Sequence, residues 1–363
     1  MTPASYASIN LSAVKHNLAK VRQFAPNSKV MAVIKANAYG HGLVRISEAL
    51  GEVEALAVAR TDEAIRLRKA GRMGRIVLLE GFVCEQELIE LQEYDLDVVV
   101  HSAAQIDILQ KYQGAKKITV WLKLDTGMNR LGFKAVEYAS AYNSLLACTQ
   151  VNQPVSLMTH LARADEKDSP ETLAQVKLFK KTVKNYPGEK SIANSAGLIA
   201  CPESLTDWVR PGIMLYGVSP FEKSEGRELG LKPVMTLHSR LIAVKKINAG
   251  ESVGYAGTWK ASKETLLGVV AIGYGDGYPR YAKNGTPVLV NGVRVPLVGR
   301  VSMDMITVDL SDQNKAKAGD PVTLWGEGLA VEEIASYADT IPYTLLCGIT
   351  QRVEIKNVIN EYG

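Results

Sequence analysis

Short apolar runs alternate with longer amphipathic stretches between about residues 29 and 216, and the alternation repeats eight times. The strand candidates are Val30–Ala36, Ala55–Ala59, Arg75–Leu79, Asp97–His101, Lys117–Leu124, Val155–Thr159, Lys190–Ala193 and Val209–Tyr216. The segments between them carry helical spacing. Thr61 can cap a helix over Thr61–Ala70 with Ala64, Ile65 and Leu67 as its stripe. Ser102 opens Ser102–Gln110, with Ile106 and Leu109 on one face. Pro170 precedes Thr172–Lys184, where Leu173, Val176, Phe179 and Val183 align. Strands separated by helices imply parallel pairing, because a parallel neighbour is reached only by a crossover. Eight such units fit a (β/α)8 barrel, and a doubly wound sheet gives a similar alternation. The count, and the lack of a GxGxxG turn after the first strand, favour the barrel.

The pattern changes after Gly230. Short β runs follow, at Leu237–Val244, Leu266–Ala271, Pro287–Val290, Met305–Val308 and Val322–Trp325. They are punctuated by Ala249-Gly250, Asn284-Gly285, Asn291-Gly292 and Gly319-Asp320, with one short helix at Val331–Ala338. This is the spacing of a mostly antiparallel β domain. The chain therefore divides into an α/β barrel, residues 1–230, and a C-terminal β domain, residues 231–363.

Composition removes several classes of function. Lys and Arg number 42 against 38 Asp and Glu, a net charge of +4, and no stretch concentrates the cations as a nucleic-acid surface does. With 47% apolar and 22% charged residues, the chain is ordinary for a folded globular protein. No run approaches the ~18 apolar residues of a membrane span, and the N-terminal stretch has no signal-peptide core. Cys84, Cys148, Cys201 and Cys347 are far apart and lack metal-site spacing, so no metal is expected and reduced thiols in a cytoplasmic protein are.

The segment with most chemistry is Val30–Gly42, VMAVIKANAYGHG. An apolar run leads straight into Lys35, and a barrel's active site lies at the C-terminal ends of its strands. A lysine there is either ion-paired or chemically used; desolvation would lower its pKa and make the amine a nucleophile.

KANAYGHG resembles the lysine segment of the alanine racemases, which depend on pyridoxal 5'-phosphate (PLP). The resemblance recurs in order along nearly the whole chain. It includes LKLDTGMNRLGF (122–133), MTHLARAD (158–165), NSAG (194–197), DWVRPGIMLYG (207–217), LKPVMTL (231–237), VGYAGTW (253–259), GYGDGYPR (273–280) and VGRVSMDM (298–305). It implies a fold type III barrel followed by a β domain. It also implies interconversion of L- and D-alanine by two bases on opposite faces of Cα.

By that resemblance Lys35 holds PLP as a Schiff base and, once displaced, acts as one base. Tyr255, from the β domain of a second subunit, is the other, so the enzyme is a homodimer with shared sites. Such a tyrosine needs neighbours that lower its pKa, and Arg210 and His160 are the implied ones. Tyr39, Ser195, Gly212, Ile213 and Tyr343 fall on the phosphate, with Asn194 beside them. Arg210 faces the pyridine nitrogen, and His160 is bonded to it. An arginine cannot accept a proton there, so the nitrogen stays unprotonated and negative charge is not drawn far into the ring, which suits racemisation. Arg130 contacts the PLP phenolic oxygen and the substrate carboxylate. Lys123 matches a lysine that is often carbamylated and then orients Arg130. Tyr274 and Met303 match entrance and substrate-contact positions. Ser302 stands where several relatives carry Cys, which bears on thiol-directed inhibitors rather than on catalysis.

The alternatives are a PLP-dependent amino-acid decarboxylase of related architecture, a broad alanine/serine racemase, and a PLP-carrying protein without turnover. A pocket rejects an added hydroxyl only weakly, so serine stays open as a substrate. Expected partners are a small amino acid and a second copy of the chain, not nucleic acid or membrane, and D-alanine would serve as a peptidoglycan precursor.

Overall fold

A computed structural model describes residues 5–358; the outermost residues of both expected domains, 1–4 and 359–363, lie outside the described residues. Eight parallel strands close into a barrel: Lys29–Val33, Ala55–Val58, Arg75–Leu78, Asp97–Val100, Val120–Lys123, Ser156–Met158, Lys190–Asn194 and Trp208–Arg210. Closure is direct, since Lys29 and Val30 pair with Trp208 and Val209. A doubly wound sheet has two open edges and would leave these strands unpaired. Strands enclosed on both faces read as continuous apolar runs, and Val98, Val99 and Val100 are all fully buried. Arg75 lies beneath the barrel, 5.1 Å from the Trp208 ring and 2.6 Å from Asp97.

Several expected boundaries shift, each for a local reason. The first strand stops at Val33, not Ala36, because Ala36 enters left-handed backbone. The last expected strand, Val209–Tyr216, is cut to Trp208–Arg210 and followed by a 3₁₀ turn at Ile213–Tyr216. Pro211 lacks the N–H a ladder needs. Thr61 is the first helical residue, not the cap; Arg60 holds that position, and Glu63 accepts from the Ala59 and Arg60 amides. Ser102 is the cap residue of its helix but makes no side-chain cap bond.

The second sheet has eight strands, built around the long strand Met235–Ile247. That strand pairs antiparallel with Thr265–Val270, Pro321–Trp325 and Tyr6–Asn10. Tyr6–Asn10 also pairs parallel with Glu354–Val358. The division at residue 230 grouped residues 6–10 with the barrel, whereas their hydrogen bonds lie in the other sheet. Asn291 and Gly292, with φ of 52° and 77°, turn a two-residue hairpin between Val290 and Val293, as an Asn-Gly pair favours. A second short helix, Pro342–Cys347, follows the expected one at Val331–Tyr337. Its backbone rests on Gly40, so tightly that a Cβ there would lie 2.1 Å from the Leu346 carbonyl oxygen. This contact brings the β domain to the barrel mouth.

Candidate active site

Lys35 stands at the head of an unusual turn. Ala36, Asn37, Ala38 and Tyr39 have φ between 52° and 55°, four successive non-glycine residues in left-handed conformation. Each such residue costs roughly 1–2 kcal/mol, so surrounding contacts must compensate. Ala38 N–H donates to the Ile34 carbonyl at 2.8 Å and Gly42 N–H to that of Asn37 at 2.9 Å. Asn37 accepts from Leu43 N–H through its side chain at 3.0 Å. His41 Nδ1 lies 3.0 and 2.8 Å from the Ala38 and Tyr39 carbonyl oxygens. Carbonyls only accept, so this nitrogen carries the proton. Burial lowers the His41 pKa to about 4, keeping the ring neutral. The Lys35 pKa is lowered by burial and by the nearby Arg130 charge.

Four cations share this mouth. Lys35, Lys123, Arg130 and Arg210 make no ion pair within 4.0 Å among the described residues. Arg210 is 5% exposed. Its guanidinium donates to Ser191 Oγ at 2.5 Å, the Thr159 carbonyl at 2.5 Å and the Ile192 carbonyl at 3.1 Å, and lies 3.3 Å from His160 Nδ1. All these partners are uncharged, and burial lowers its pKa to about 10. His160, pressed by burial, Arg210 and Lys123, is held well below its ordinary value and stays neutral. It can therefore accept from Arg210. Burial, then Arg210 and Arg130, lower the Lys123 pKa to about 8.

The Lys123 shift has a stability consequence. Below about pH 8 the ammonium is charged in folded and unfolded chains alike, and the folded state bears the full penalty. Between about pH 8 and the ordinary lysine value the folded amine is neutral while the unfolded one is protonated, so stability rises with pH. In cofactor-free protein and carbon-dioxide-depleted buffer, Lys123→Met is expected to stabilise by roughly 1–3 kcal/mol at pH 7. The advantage fades toward pH 10. Thermal midpoints across pH 7–10 test this, and a variant less stable than wild type at pH 7 contradicts it.

A second group faces the first. The Tyr39 ring lies 5.8 Å from that of Tyr343 and 4.7 Å from that of Tyr216. Burial raises both hydroxyls, Tyr343 to about 12, so both are neutral donors. Ser195 Oγ accepts from the Gly212 N–H at 2.9 Å and the Met214 N–H at 3.5 Å, leaving its own proton to donate outward. A Cβ on Gly212 would sit 2.6 Å from Tyr39 Oη, so this cradle closes if residue 212 gains any side chain. Ile213 follows at the start of the 3₁₀ turn. The Asn194 side-chain oxygen caps helix Ser195–Ala200 through the Gly197 N–H at 2.9 Å. Tyrosine and serine hydroxyls and unpaired cations, around the space left by a glycine without a side chain, form a donor set suited to an aromatic phosphate such as PLP. No group of three His, Cys, Asp or Glu among the described residues could hold a metal.

Tyr255, Tyr274 and Met303 make none of the contacts of this mouth. They are 67%, 40% and 53% exposed on loops of the β domain. Among the described residues no hydrogen bond, ion pair or ring contact joins them to Lys35, Arg130, Arg210 or His160. The Arg210–His160 pair therefore makes no hydrogen bond or ring contact with Tyr255 within one chain among the described residues. The loops of Tyr274 and Met303 are nonetheless tied together. Tyr274 and Gly275 donate to the Ser302 and Met303 carbonyls at 3.0 and 2.8 Å, and Arg352 bridges Asp276 and Asp304 at 3.3 and 2.8 Å.

The alanine racemase N-terminal domain family matches residues 9–220, and the alanine racemase C-terminal domain family matches residues 234–357. The chain belongs to the alanine racemase family. The Shewanella sediminis alanine racemase is 51% identical over 355 residues, covering 98% of this chain and 99% of that protein. The biosynthetic alanine racemase of Pseudomonas aeruginosa superposes with a TM-score of 0.95 at 42% identity, covering 98% of this chain and 100% of that one. The Bartonella henselae alanine racemase, described with covalently bound pyridoxal phosphate, has a TM-score of 0.89 at 29% identity and covers 98% and 100%. Family membership makes this chain a PLP-dependent racemase that interconverts L- and D-alanine, and gives no support to the decarboxylase reading.

Sequence reasoning missed three residues of this mouth. Glu63 reads as one acid among several in a helix, His41 as a loop residue, and Cys347 as a bland thiol. Cys347 is close enough to Lys35 for each to perturb the other. Only Glu63 had a local pattern to read: it stands three residues after Arg60, the cap residue, where an acid closes the first helical turn, and taking Thr61 as the cap hid that spacing.

Proposed function

We propose that the barrel mouth binds PLP through Lys35, and that racemisation runs between Lys35 and Tyr255 supplied by a second copy of the chain. One observation carries the proposal: four unpaired cations converge on the mouth that also holds the tyrosine, serine and glycine cradle. PLP, when bound, supplies the electron-withdrawing system that acidifies the Cα proton of an attached amino acid. Tyr39, Ser195, Gly212, Ile213 and Tyr343 would hold the phosphate, with Asn194 shaping the loop beneath it. Arg210, locked by Ser191, Thr159 and Ile192, would offer the ring nitrogen only donors and could not accept a proton from it.

The rest is done by the chain's own groups. Arg130, exposed at the mouth, binds the substrate carboxylate through its planar fork. Burial and Arg130 favour the neutral Lys35 amine, which can take or return a proton on one face of Cα. The partner subunit's Tyr255 serves the opposite face, with Tyr274 and Met303 beside it. A hydroxyl on an exposed β-domain loop is accessible to a neighbouring chain, and the homodimer follows from that need. Lys123, near pH 8, has a neutral fraction that can add to carbon dioxide, forming an N–C bond and releasing a proton. The resulting carbamate would put an anion between Arg130 and Arg210. We place the enzyme in the cytoplasm, making D-alanine as a peptidoglycan precursor.

Borohydride reduction of the holoenzyme followed by peptide mapping tests the first half, and the pyridoxyl label is expected on Lys35. A label on another lysine removes the assignment. L-alanine incubated in deuterated water is expected to give D-alanine carrying deuterium at Cα. Recovery of D-alanine with protium only would contradict a solvent-exchanging pair of bases.

A further inference from the structure

The turn that carries Lys35 is strained at four consecutive residues, so something beyond the turn must hold it. Glu63, in the first turn of helix Thr61–Lys69, is only 6% exposed. One carboxylate oxygen accepts from Asn37 N–H at 3.0 Å; the other accepts from the Ala59 and Arg60 N–H groups at 3.2 and 3.4 Å. The last two bonds close the acid's own helix, as a residue at this position commonly does. The bond to Asn37 does something else, because it crosses to a different β/α unit and lands inside the left-handed turn. Three N–H donors converging on one side chain call for a group that accepts at both oxygens, and a carboxylate alone does so. Lys35 is two residues before Asn37. The titratable and charged groups facing its amine are Arg130 beyond the fifth barrel strand, Lys123 at the end of that strand, His160 beyond the sixth, Glu80 beyond the third, Glu63 beyond the second, and Cys347 on helix Pro342–Cys347.

We infer that Glu63 is a positioning residue, which ties the left-handed turn to the neighbouring unit and so fixes where the Lys35 amine stands in the mouth. The inference rests on reading Lys35 as the reacting lysine, yet the tie itself can be measured without catalysis. Glu63→Gln keeps the size of the side chain but turns an NH2 either toward the Asn37 N–H or toward the Ala59 and Arg60 N–H groups. Amide hydrogen exchange over residues 36–42 of the purified holoenzyme is expected to accelerate at least about tenfold. In steady-state assays kcat should fall roughly 10- to 100-fold with little change in KM, as a misplaced reacting group predicts. Loss of a negative neighbour also favours the neutral amine once substrate has displaced it, so the acid limb of the kcat profile should move to lower pH.

Ala36→Gly provides the second reading. Ala36 is exposed at φ 53°, and glycine adopts that conformation without strain. Added to Glu63→Gln, it should recover part of the slow exchange and of kcat, or of folding if the single variant does not fold. Wild-type exchange in a folded Glu63→Gln protein, or no recovery on adding Ala36→Gly, overturns the inference. A borohydride label away from Lys35 would retire the cofactor assignment and leave the exchange result standing.

Discussion

Equal mixtures of Lys35→Ala and Tyr255→Phe chains are expected to regain about a quarter of the wild-type activity, although each variant alone loses roughly 10²–10⁴-fold, the range for losing a general base. The figure follows from a two-fold dimer. If each site joins Lys35 of one chain to Tyr255 of the other, a hybrid dimer has one site with both bases intact and one with neither. Random exchange makes half the dimers hybrid, hence a quarter of all sites are complete. A site built within one chain would be defective in every dimer, and mixing would restore nothing. The exposure of Tyr255, and its lack of any hydrogen bond or ring contact to the cations of the mouth among the described residues, argue for the shared arrangement. Activity measured after verified subunit exchange decides it, and persistent inactivity sinks the shared site.

Gly40→Ala should be the most damaging single methyl group near the site. Gly40 has φ +82°, and an added Cβ would meet the Leu346 carbonyl oxygen at 2.1 Å and the Leu346 carbonyl carbon at 3.0 Å. Backbone on both sides leaves no flexible side chain to yield. Either the left-handed turn unwinds or helix Pro342–Cys347 lifts away, taking Tyr343 and Cys347 from the mouth. A loss of about 3 kcal/mol or more is expected, with weakened cofactor binding. Gly71→Ala is the matched control: its φ is +88°, with nothing within 4 Å. That change bears only the conformational penalty, about 1–2 kcal/mol. Chemical denaturation of both variants, with PLP titration, separates the two effects. Equal losses would show that the close approach at Gly40 carries no weight.

The barrel was legible because parallel strands buried on both faces must be continuous apolar runs, and their helical crossovers must carry one stripe. The strand ends were less so. Ala36 reads as the end of the strand Val30–Ala36, since no residue type announces left-handed backbone over Ala36–Tyr39, a run without glycine. Tyr6–Asn10 alternates buried and part-exposed residues in a segment that gives no hint of partners more than 200 residues away. Helix Pro342–Cys347 is six residues long, too short for a periodic stripe.

The site divides in the same way. Sequence alone determined the chemical inventory: a lysine just past the first barrel strand, arginines at 130 and 210, an Asn-Ser pair at 194–195 and a Gly-Ile pair at 212–213 that the family resemblance assigns to a phosphate, and a tyrosine between glycines at 255. Those residue types sit in local motifs whose order is written along the chain. Tertiary structure decided the rest: that four cations meet without a carboxylate partner, that Lys123 is driven to about pH 8, that Glu63 reaches across to Asn37, and that Tyr255 faces outward. These are properties of burial and of proximity between distant segments, and electrostatic coupling follows distance in space rather than separation along the chain.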